Sequence, residues 1–309
     1  MTIHEQPHAC PQQLTLKDFK STVEPIWCSG CGDFGVLQSL QRALAELGRP
    51  PHEVVVVSGI GCSSRLPAYT TAYGFHGVHG RALPVATGIK LARPDLEVIT
   101  VGGDGDGYSI GGNHFLHAAR RNVDLTYIVM DNRVYGMTKG QPSPTTEADW
   151  DSDAAPGGTG VKPFSPLAIA LAAGANFVAR GFALDVKPLA AMIVEAVRHP
   201  GFSFIEVLSP CITFRPEEME WKKSVARGAI QPTSDRAQAT ATVLSDTEMS
   251  TGVFFKGDRG TYRDAPKGHG DPEKIADQFR VGGNAHMAPA DSGCCGGGRA
   301  PGAPGNVKS

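Results

Sequence analysis

The sequence predicts a doubly wound, mostly parallel α/β sheet domain between about residues 25 and 215. Two observations favour this fold class. Uncharged runs rich in β-branched residues recur along this segment, and stretches with helical periodicity lie between them. Strands of a parallel sheet are buried on both faces, so they form continuous apolar runs. The alternation of the two patterns therefore predicts one central sheet with helices packed on it.

The individual elements follow in order along the chain. The first is a helix from Asp33 to Leu47, where apolar residues recur at helical spacing and Gly48 stands where a helix ends. The apolar runs predict four strands, at residues 53–61, 96–103, 124–131 and 202–208. Between the strands, helices are predicted at residues 83–92, 110–121, 166–173 and 188–198.

The composition of the chain limits its function class. A length of 309 residues, 41% hydrophobic content and a net charge of -2 are typical of a soluble globular protein. No basic run could offset phosphate charge, so we expect no nucleic-acid partner. The longest charge-free run, residues 163–179, is too short to cross a bilayer as a helix, and the amino terminus lacks the apolar core of a signal peptide. We therefore expect a cytoplasmic protein without a membrane partner.

Composition also divides the chain. We expect an amino-terminal extension at residues 1–24, the α/β domain at 25–215 and a carboxyl-terminal extension at 216–256. Residues 257–309 form a tail rich in glycine and proline, and we expect its last twenty or so residues to be disordered. Inside the domain, the irregular stretch 140–160 is a candidate active-site loop.

Four chemically distinctive residues follow the four predicted strands. Cys62 follows the first strand, Asp104 the second, Asn132 the third and Cys211 the fourth. In open α/β sheets ligands bind at the carboxyl ends of the strands. We therefore expect these residues to lie at one edge of the sheet and to form a ligand site.

The turn Gly103-Asp104-Gly105 resembles a phosphate-binding loop that carries an acid. It lacks the third glycine of the dinucleotide fingerprint, and the chain has no Gly-Lys dipeptide of a Walker A motif. An acid repels phosphate unless a cation lies between them, and Mg²⁺ accepts carboxylate, carbonyl and phosphate oxygens. Asp104, Asn132 and a backbone carbonyl near Val134 could supply the protein ligands. A glycine turn with a capping aspartate is the alternative.

Gly103-Asp104-Gly105 followed by Asn132 resembles the thiamine diphosphate motif, in which Asp, Asn and a carbonyl two residues after the Asn hold Mg²⁺ against the diphosphate. The overlapping triplet Gly105-Asp106-Gly107 also fits the spacing of that motif. We prefer Asp104 because it directly ends the predicted strand. Gly105 and Asp106 are then expected to contribute backbone groups to the diphosphate site.

Seven cysteines in a cytoplasmic chain indicate metal or redox chemistry rather than disulfides. Only Cys28 and Cys31 form a CxxC pair, for which a structural zinc site is an alternative. The remaining cysteines outside the predicted strand ends are interpreted as bystanders: Cys10, Cys294 and Cys295.

Several motifs together resemble the β subunit of a 2-oxoacid:ferredoxin oxidoreductase, over about residues 20–220. They are WCSGCGDFGV at 27–36, GIGCSSR at 59–65, HGRALPVATGIK at 79–90 and SPC at 209–211. The resemblance implies the thiamine diphosphate-binding PP-type fold and one [4Fe–4S] cluster held by Cys28, Cys31, Cys62 and Cys211, consistent with thiolate chemistry. It also implies cofactor contacts from Ile60, Gly61, Cys62, Ser63, His79, Gly80, Arg81, Ala82, Gly136 and Met137. For His79 and Arg81 an ordinary solvated turn is the alternative.

The resemblance implies an activity that needs further partners. A 2-oxoacid is decarboxylated with thiamine diphosphate, electrons pass singly through the cluster to ferredoxin, coenzyme A takes the acyl group, and the reverse carboxylation is also open to such an enzyme. The glutamate that activates the cofactor is expected on an α subunit that carries the pyrimidine-binding domain, in an (αβ)₂ assembly.

The substrate is the least determined part of this interpretation. Overall similarity favours 2-oxoglutarate over pyruvate, and Arg65 and Lys139 are candidate partners for its distal carboxylate, with ordinary surface positions as the alternative. Two different functions stay open on the motifs alone. One is a thiamine lyase or synthase that does not use ferredoxin, and the second is a pure electron-transfer iron–sulfur protein.

Overall fold

A seven-stranded sheet organises residues 14–262, the part of the chain that this computed structural model describes. The spatial order of its strands is β2-β1-β3-β4-β8-β7-β9, and a separate two-stranded ribbon joins β5 to β6. The strands are β1 Val54–Ser58, β2 Tyr73–His76, β3 Glu97–Gly103, β4 Leu125–Asp131, β5 Val134–Tyr135, β6 Gln141–Pro142, β7 Phe177–Phe182, β8 Phe202–Leu208 and β9 Gly252–Lys256.

Helices connect most of the strands. The α-helices are α1 Asp33–Leu47, α2 Ala82–Ala92, α3 Gly112–Arg121, α4 Pro166–Ala173, α5 Val186–Arg198, α6 Trp221–Ser224 and α7 Arg236–Ser245. Four short 3₁₀ segments lie at Leu16–Phe19, Pro51–Glu53, Ser63–Tyr69 and Pro216–Glu220, and a π-helical turn lies at Gly105–Ile110. Among these described elements no helix is long and apolar enough to span a membrane.

All neighbouring strands of the large sheet run parallel except β7 and β9, which are antiparallel. Alternate residues of the central strands enter two separate hydrophobic cores. In β1, Val55 and Val57 pack with side chains of α2, α3 and α4, whereas Val54 and Val56 pack with α1 and α5. This two-sided burial is why the strands form uninterrupted apolar runs. The predicted doubly wound, mostly parallel fold is confirmed.

The chain changes direction across the sheet between β1 and β3. After β1 it moves outward to β2, whereas after β3 it moves the other way to β4. A crevice forms at such a switch point, because the loops that leave the two strands diverge to opposite sides. The predicted neighbours are also confirmed: the strands that precede Cys62, Asp104, Asn132 and Cys211 are β1, β3, β4 and β8, which are adjacent in that order.

Three strands of the large sheet carry no clear sequence signal. The four residues of β2 are all exposed at the edge of the sheet, so no apolar run marks them. An arginine interrupts β7, and its side chain is tolerated there, with 15% exposed, because it pairs with Glu206 at 2.7 Å and with Asp246 at 2.6 Å. The antiparallel edge strand β9 belongs to segment 216–256, expected to be an extension.

Several sequence expectations lie outside the described residues. They concern the amino-terminal extension before Leu14, the tail beyond Tyr262 with its predicted disorder, and three cysteines: Cys10, Cys294 and Cys295.

Candidate functional site

One cavity of about 680 Å³ opens at the carboxyl ends of β1, β3 and β4. Its wall is formed by the loops that follow these three strands and by one residue before α2. The lining residues are Ile60, Gly61, Cys62, Ser63, His79, Gly103, Asp104, Gly105, Asp106, Asn132, Val134, Tyr135, Gly136, Met137, Thr138 and Gln141. The cavity therefore contains all three residues predicted to bind Mg²⁺, together with most of those predicted to contact the cofactor.

The buried carboxylate of Asp104 lies at the base of this cavity, with 2% of the residue exposed. The Thr145 hydroxyl lies 3.0 Å from Asp104 Oδ2 and 2.7 Å from Oδ1 of Asp131, which is also buried. Burial raises the pKa of the Asp104 carboxyl, and burial together with the nearby Asp104 raises the pKa of Asp131 well above its ordinary value. Two buried acids beside an open cavity suit the binding of a cation.

The turn after β4 holds the second predicted magnesium ligand in place. Oδ1 of Asn132 accepts a hydrogen bond of 3.2 Å from the backbone N–H of Val134. Between them Arg133 has a φ of 52°, a left-handed conformation that is costly for a residue with a Cβ. The Thr146 hydroxyl donates to the Arg133 carbonyl at 2.5 Å and stabilises this conformation. Backbone strain of this kind is often stored at functional sites.

The second acid of the glycine turn plays a different part from the first. Asp106 Oδ1 accepts hydrogen bonds from the backbone N–H groups of Ile60 at 2.9 Å and Gly80 at 2.7 Å, and it contacts His79 Nδ1 at 2.8 Å. The expected use of the Asp106 backbone remains a prediction, but its carboxylate has a further role that sequence reasoning missed. It ties the loop after β1 to the loop before α2.

Close packing requires glycine at one position of the turn. A Cβ on Gly105 would lie 2.2 Å from Cε1 of Tyr135, so a larger residue would displace the ring. Gly105 also begins the π-helical turn that leads into α3. The first N–H groups of a helical segment have no partner inside the helix, and they favour an anion such as phosphate.

Direct hydrogen bonds connect the loops that carry the four predicted cluster cysteines. The Trp27 indole Nε1–H donates to the Cys62 carbonyl at 2.7 Å. The Gly32 N–H donates to the Pro210 carbonyl at 3.0 Å, which joins the CxxC turn to the Cys211 loop. These bonds bring together segments that are far apart in the sequence.

All four of these cysteines have free thiols. Burial is the largest cause that raises the pKa of Cys31, of Cys62 and of Cys211, the last to about 11, and at least one other thiol of the four contributes to each of these increases. The thiols are therefore close enough to interact electrostatically. Within residues 14–262, however, no group of three or more His, Cys, Asp or Glu side chains has an arrangement that could hold a metal ion.

A buried acid that sequence reasoning missed interacts electrostatically with both Cys31 and Asp104. Asp33, the first residue of α1, accepts a hydrogen bond of 2.8 Å from the Ser209 hydroxyl. Burial, the largest cause, and the charge of Asp104 together raise the pKa of Asp33 to about 6, although the Ser209 hydrogen bond opposes this shift. The only sequence signal is an acid directly after a CxxC turn.

Some of the predicted site residues do not line the cavity. Gly80 contributes its N–H to Asp106, and Ala82 begins α2 beside it. The Arg81 guanidinium hydrogen-bonds to backbone carbonyls of the neighbouring turns. Arg65 and Lys139 are exposed outside the lining. Among the described lining residues there is no lysine, arginine or glutamate.

Comparison with known proteins agrees with this geometry. Residues 59–207 match the family "Thiamine pyrophosphate enzyme, C-terminal TPP binding domain", thiamine pyrophosphate being another name for thiamine diphosphate. All the cavity-lining residues fall within this match, whereas Cys28, Cys31 and Cys211 lie outside it.

Individual relatives indicate a more specific group of proteins within this broad family. The chain is 52% identical over 190 residues to the 2-oxoacid:ferredoxin oxidoreductase subunit beta of Saccharolobus solfataricus, covering 61% of this chain and 62% of that one. It is 44% identical over 219 residues to the 2-oxoglutarate synthase subunit KorB of Archaeoglobus fulgidus, covering 67% and 82% of the two chains. Across five curated relatives, the match spans 53% to 65% of their length.

A solved structure extends the similarity over most of the chain. It is a 2-oxoglutarate:ferredoxin oxidoreductase from Magnetococcus marinus with 2-oxoglutarate, coenzyme A and succinyl-CoA bound. The TM-score is 0.77 at 38% sequence identity, and the match covers 90% of this chain and 98% of the other. The predicted resemblance is thus confirmed, and the chain belongs to the family of 2-oxoacid:ferredoxin oxidoreductase β subunits.

Proposed function

We propose that this chain is the β subunit of a 2-oxoglutarate:ferredoxin oxidoreductase. The reaction converts 2-oxoglutarate, coenzyme A and oxidised ferredoxin to succinyl-CoA, CO₂ and reduced ferredoxin, and it can run in reverse as a carboxylation. One observation supports the proposal: an acidic, glycine-rich cavity forms at the ends of adjacent parallel strands, and its lining includes Cys62, whose loop is hydrogen-bonded to the CxxC segment. The proposed cofactor domain comprises residues 25–215.

The donor set of the cavity fits thiamine diphosphate with Mg²⁺. Asp104, Asn132 and the Val134 carbonyl would hold the ion, since they supply the oxygen ligands that Mg²⁺ prefers. The buried pair Asp104 and Asp131 supports a cation here, because a bound cation would offset the energetic cost of two neighbouring carboxylates. The N–H groups at the start of the π-helical turn, from Gly105 onward, would face the diphosphate.

The four thiols fit a [4Fe–4S] cluster by their chemistry, because thiolates are the usual ligands of such clusters. Each iron takes its own cysteine, so the four thiols need not converge on the single point that one metal ion requires. Cys28, Cys31, Cys62 and Cys211 would hold the cluster. Cys62 also lines the cavity, which would place the two centres side by side.

When bound, thiamine diphosphate supplies the nucleophilic carbon for decarboxylation, and the cluster supplies a one-electron acceptor. The chain's own residues bind and orient these groups. Asp106 fixes Ile60 and His79 on the wall of the cavity through its three hydrogen bonds. Trp27 holds the backbone of Cys62 at the junction of the two centres.

A partner subunit is part of the proposal. No glutamate is found among the described residues that line the cavity, so the glutamate that activates thiamine diphosphate would come from another chain. We propose an α subunit with the pyrimidine-binding domain, in an (αβ)₂ assembly that delivers electrons to ferredoxin. If the isolated chain, reconstituted with thiamine diphosphate, Mg²⁺ and cluster, decarboxylated a 2-oxoacid at the rate of the assembly, this part would be wrong.

Relatives favour 2-oxoglutarate as the substrate. The A. fulgidus relative is a 2-oxoglutarate synthase subunit, and the M. marinus enzyme was solved with 2-oxoglutarate bound. Arg65 and Lys139 remain candidates for the distal carboxylate from the rim of the cavity. Pyruvate is the second candidate, because the described lining of the cavity holds no lysine or arginine and pyruvate needs none.

An anaerobic absorbance experiment tests the proposal. The assembly is purified with its partner subunit, and the absorbance of the cluster is followed after addition of coenzyme A with 2-oxoglutarate or pyruvate. Bleaching with 2-oxoglutarate supports the proposal, whereas faster bleaching with pyruvate would identify pyruvate as the preferred substrate. A protein that binds thiamine diphosphate but contains no iron or sulfide would instead be a lyase or synthase that does not use ferredoxin.

A further inference from the structure

A single hydroxyl lies between two buried carboxylates below the cavity. Thr145 Oγ1 is 3.0 Å from Asp104 Oδ2 and 2.7 Å from Asp131 Oδ1. All three residues are buried, with 5%, 2% and 2% exposed respectively. Neither Thr145 nor Asp131 lines the cavity, whereas Asp104 does. The pair therefore lies behind the carboxylate that faces the ligand space.

A second hydroxyl lies close to this group: Ser143 Oγ is 3.2 Å from Thr145 Oγ1, and Ser143 also hydrogen-bonds to Asp104. A threonine hydroxyl has one proton, so it can donate to only one of the two carboxylates at a time. Asp131 Oδ1 also accepts the Arg133 N–H at 3.1 Å, which fixes its orientation. No lysine or arginine side chain pairs with Asp104 or Asp131 through a described salt bridge. A bound cation would therefore stabilise the charged form of both acids.

We propose that Thr145 and Asp131 are positioning residues for the magnesium ion: Thr145 orients the carboxylate of Asp104 toward it, and Asp131 holds the Thr145 hydroxyl in place from behind. This inference rests on the proposed function, in which Asp104 holds the ion. Groups behind a metal ligand fix its geometry and raise its affinity, and their loss typically lowers metal affinity about 10–100-fold.

The loop that carries Thr145 is held independently of the cavity. Glu147 pairs with Arg215 at 2.7 Å and with Arg133, whose carbonyl accepts the Thr146 hydroxyl. A substitution at Thr145 should therefore leave the path of the loop intact. This makes the hydroxyl of Thr145 a group that can be tested by itself.

The experiment measures the Mg²⁺ concentration at half-saturation for thiamine diphosphate binding by isothermal titration calorimetry. The assembly is compared as wild type, Asp131→Asn, Thr145→Val and Thr145→Ser. Thr159→Val is the matched control, since Thr159 is exposed in the same irregular segment and outside the cavity lining. We expect the half-saturation concentration to rise about tenfold or more in Asp131→Asn and Thr145→Val. Thr145→Ser should stay close to wild type because it keeps the hydroxyl.

Two results would overturn the inference. Wild-type Mg²⁺ dependence in both Asp131→Asn and Thr145→Val would show that neither group acts on the ion. A Thr145→Ser variant as defective as Thr145→Val would show that the methyl group packs, and that the hydroxyl does not position Asp104. A wild-type protein that binds thiamine diphosphate without any need for Mg²⁺ is a distinct outcome, which refutes the magnesium site of the proposed function and this inference with it.

Discussion

Replacing Asp106 with alanine should be among the most destabilising single changes near the cavity. One oxygen of this carboxylate accepts from the Ile60 and Gly80 N–H groups and contacts His79 Nδ1. The side chain is 2% exposed, so water does not compete for these bonds. Alanine removes the acceptor from all three donors at once.

The size of the stability loss depends on how exposed each of the three donors is. The Gly80 N–H is buried and would lose its acceptor, which costs about 1–3 kcal/mol. The Ile60 N–H is partly buried, and its bond to a charged acceptor contributes about 1.5 kcal/mol. The His79 ring is 39% exposed, so its Nδ1 can hydrogen-bond to water instead. We expect Asp106→Ala to lower the free energy of unfolding by about 2.5–4.5 kcal/mol, and Asp106→Asn, which keeps an acceptor oxygen, by about 1 kcal/mol.

Urea denaturation followed by circular dichroism measures this change. The midpoint should fall in the order wild type, Asp106→Asn, Asp106→Ala, with an unchanged slope if the transition stays two-state. Asp149→Ala is the control, since Asp149 is exposed and outside the cavity lining. If Asp106→Ala lost no more stability than Asp149→Ala, the carboxylate would not be holding the two loops together.

Three further predictions concern the residues around the cavity and the four cysteines. Burial raises the pKa of Asp33 from 3.8 to about 6, so the native state holds this proton more tightly than the unfolded state does. Wild-type stability should therefore fall by roughly 3 kcal/mol as the pH rises from about 4 to about 6. The urea midpoint of Asp33→Asn should lack this fall, and a wild-type profile that is flat from pH 4 to 7 would contradict the prediction. Trp27→Phe removes the 2.7 Å bond to the Cys62 carbonyl and should reduce iron bound per chain after reconstitution, whereas Trp150→Phe should not. Arg133→Gly should be about 1 kcal/mol more stable to urea than Arg133→Ala, because both lose the same side chain but only glycine relieves the positive φ; equal midpoints would refute the strain.

The elements of the fold that could be predicted are those whose burial shows as a pattern in neighbouring residues of the sequence. A buried parallel strand or an amphipathic helix shows its burial in consecutive residues, so α1 and α4 were predicted with the bounds that the structure shows. In β7 the pattern fails because Arg180 is neutralised by Asp246, a residue 66 positions away. No window of sequence contains both partners. The same reason hides β9, because its pairing partner β7 lies far from it in the sequence.

Some residues of the candidate site were also predictable from local sequence patterns, and others were not. Asp104 and Asn132 were predictable because each follows a recognisable strand, and strand ends converge at one edge of a parallel sheet. The contact of Thr145 with Asp104 was not predictable, because it depends on the path of an irregular loop and joins two residues 41 positions apart. Asp106 was assigned a backbone contribution, since only the folded chain shows three donors around its carboxylate.

The strand order of the sheet also fixes the distance between the loops that follow its central strands. Four neighbouring strands, β1, β3, β4 and β8, carry the loops of the cavity and of Cys211. Adjacent strands lie about 4.8 Å apart, so the outermost two of these loops leave the sheet only about 14 Å from each other. That separation is set by backbone hydrogen bonding rather than by side chains. Substitutions in the loops can therefore alter charge and reactivity at either end while the spacing between the loops stays the same.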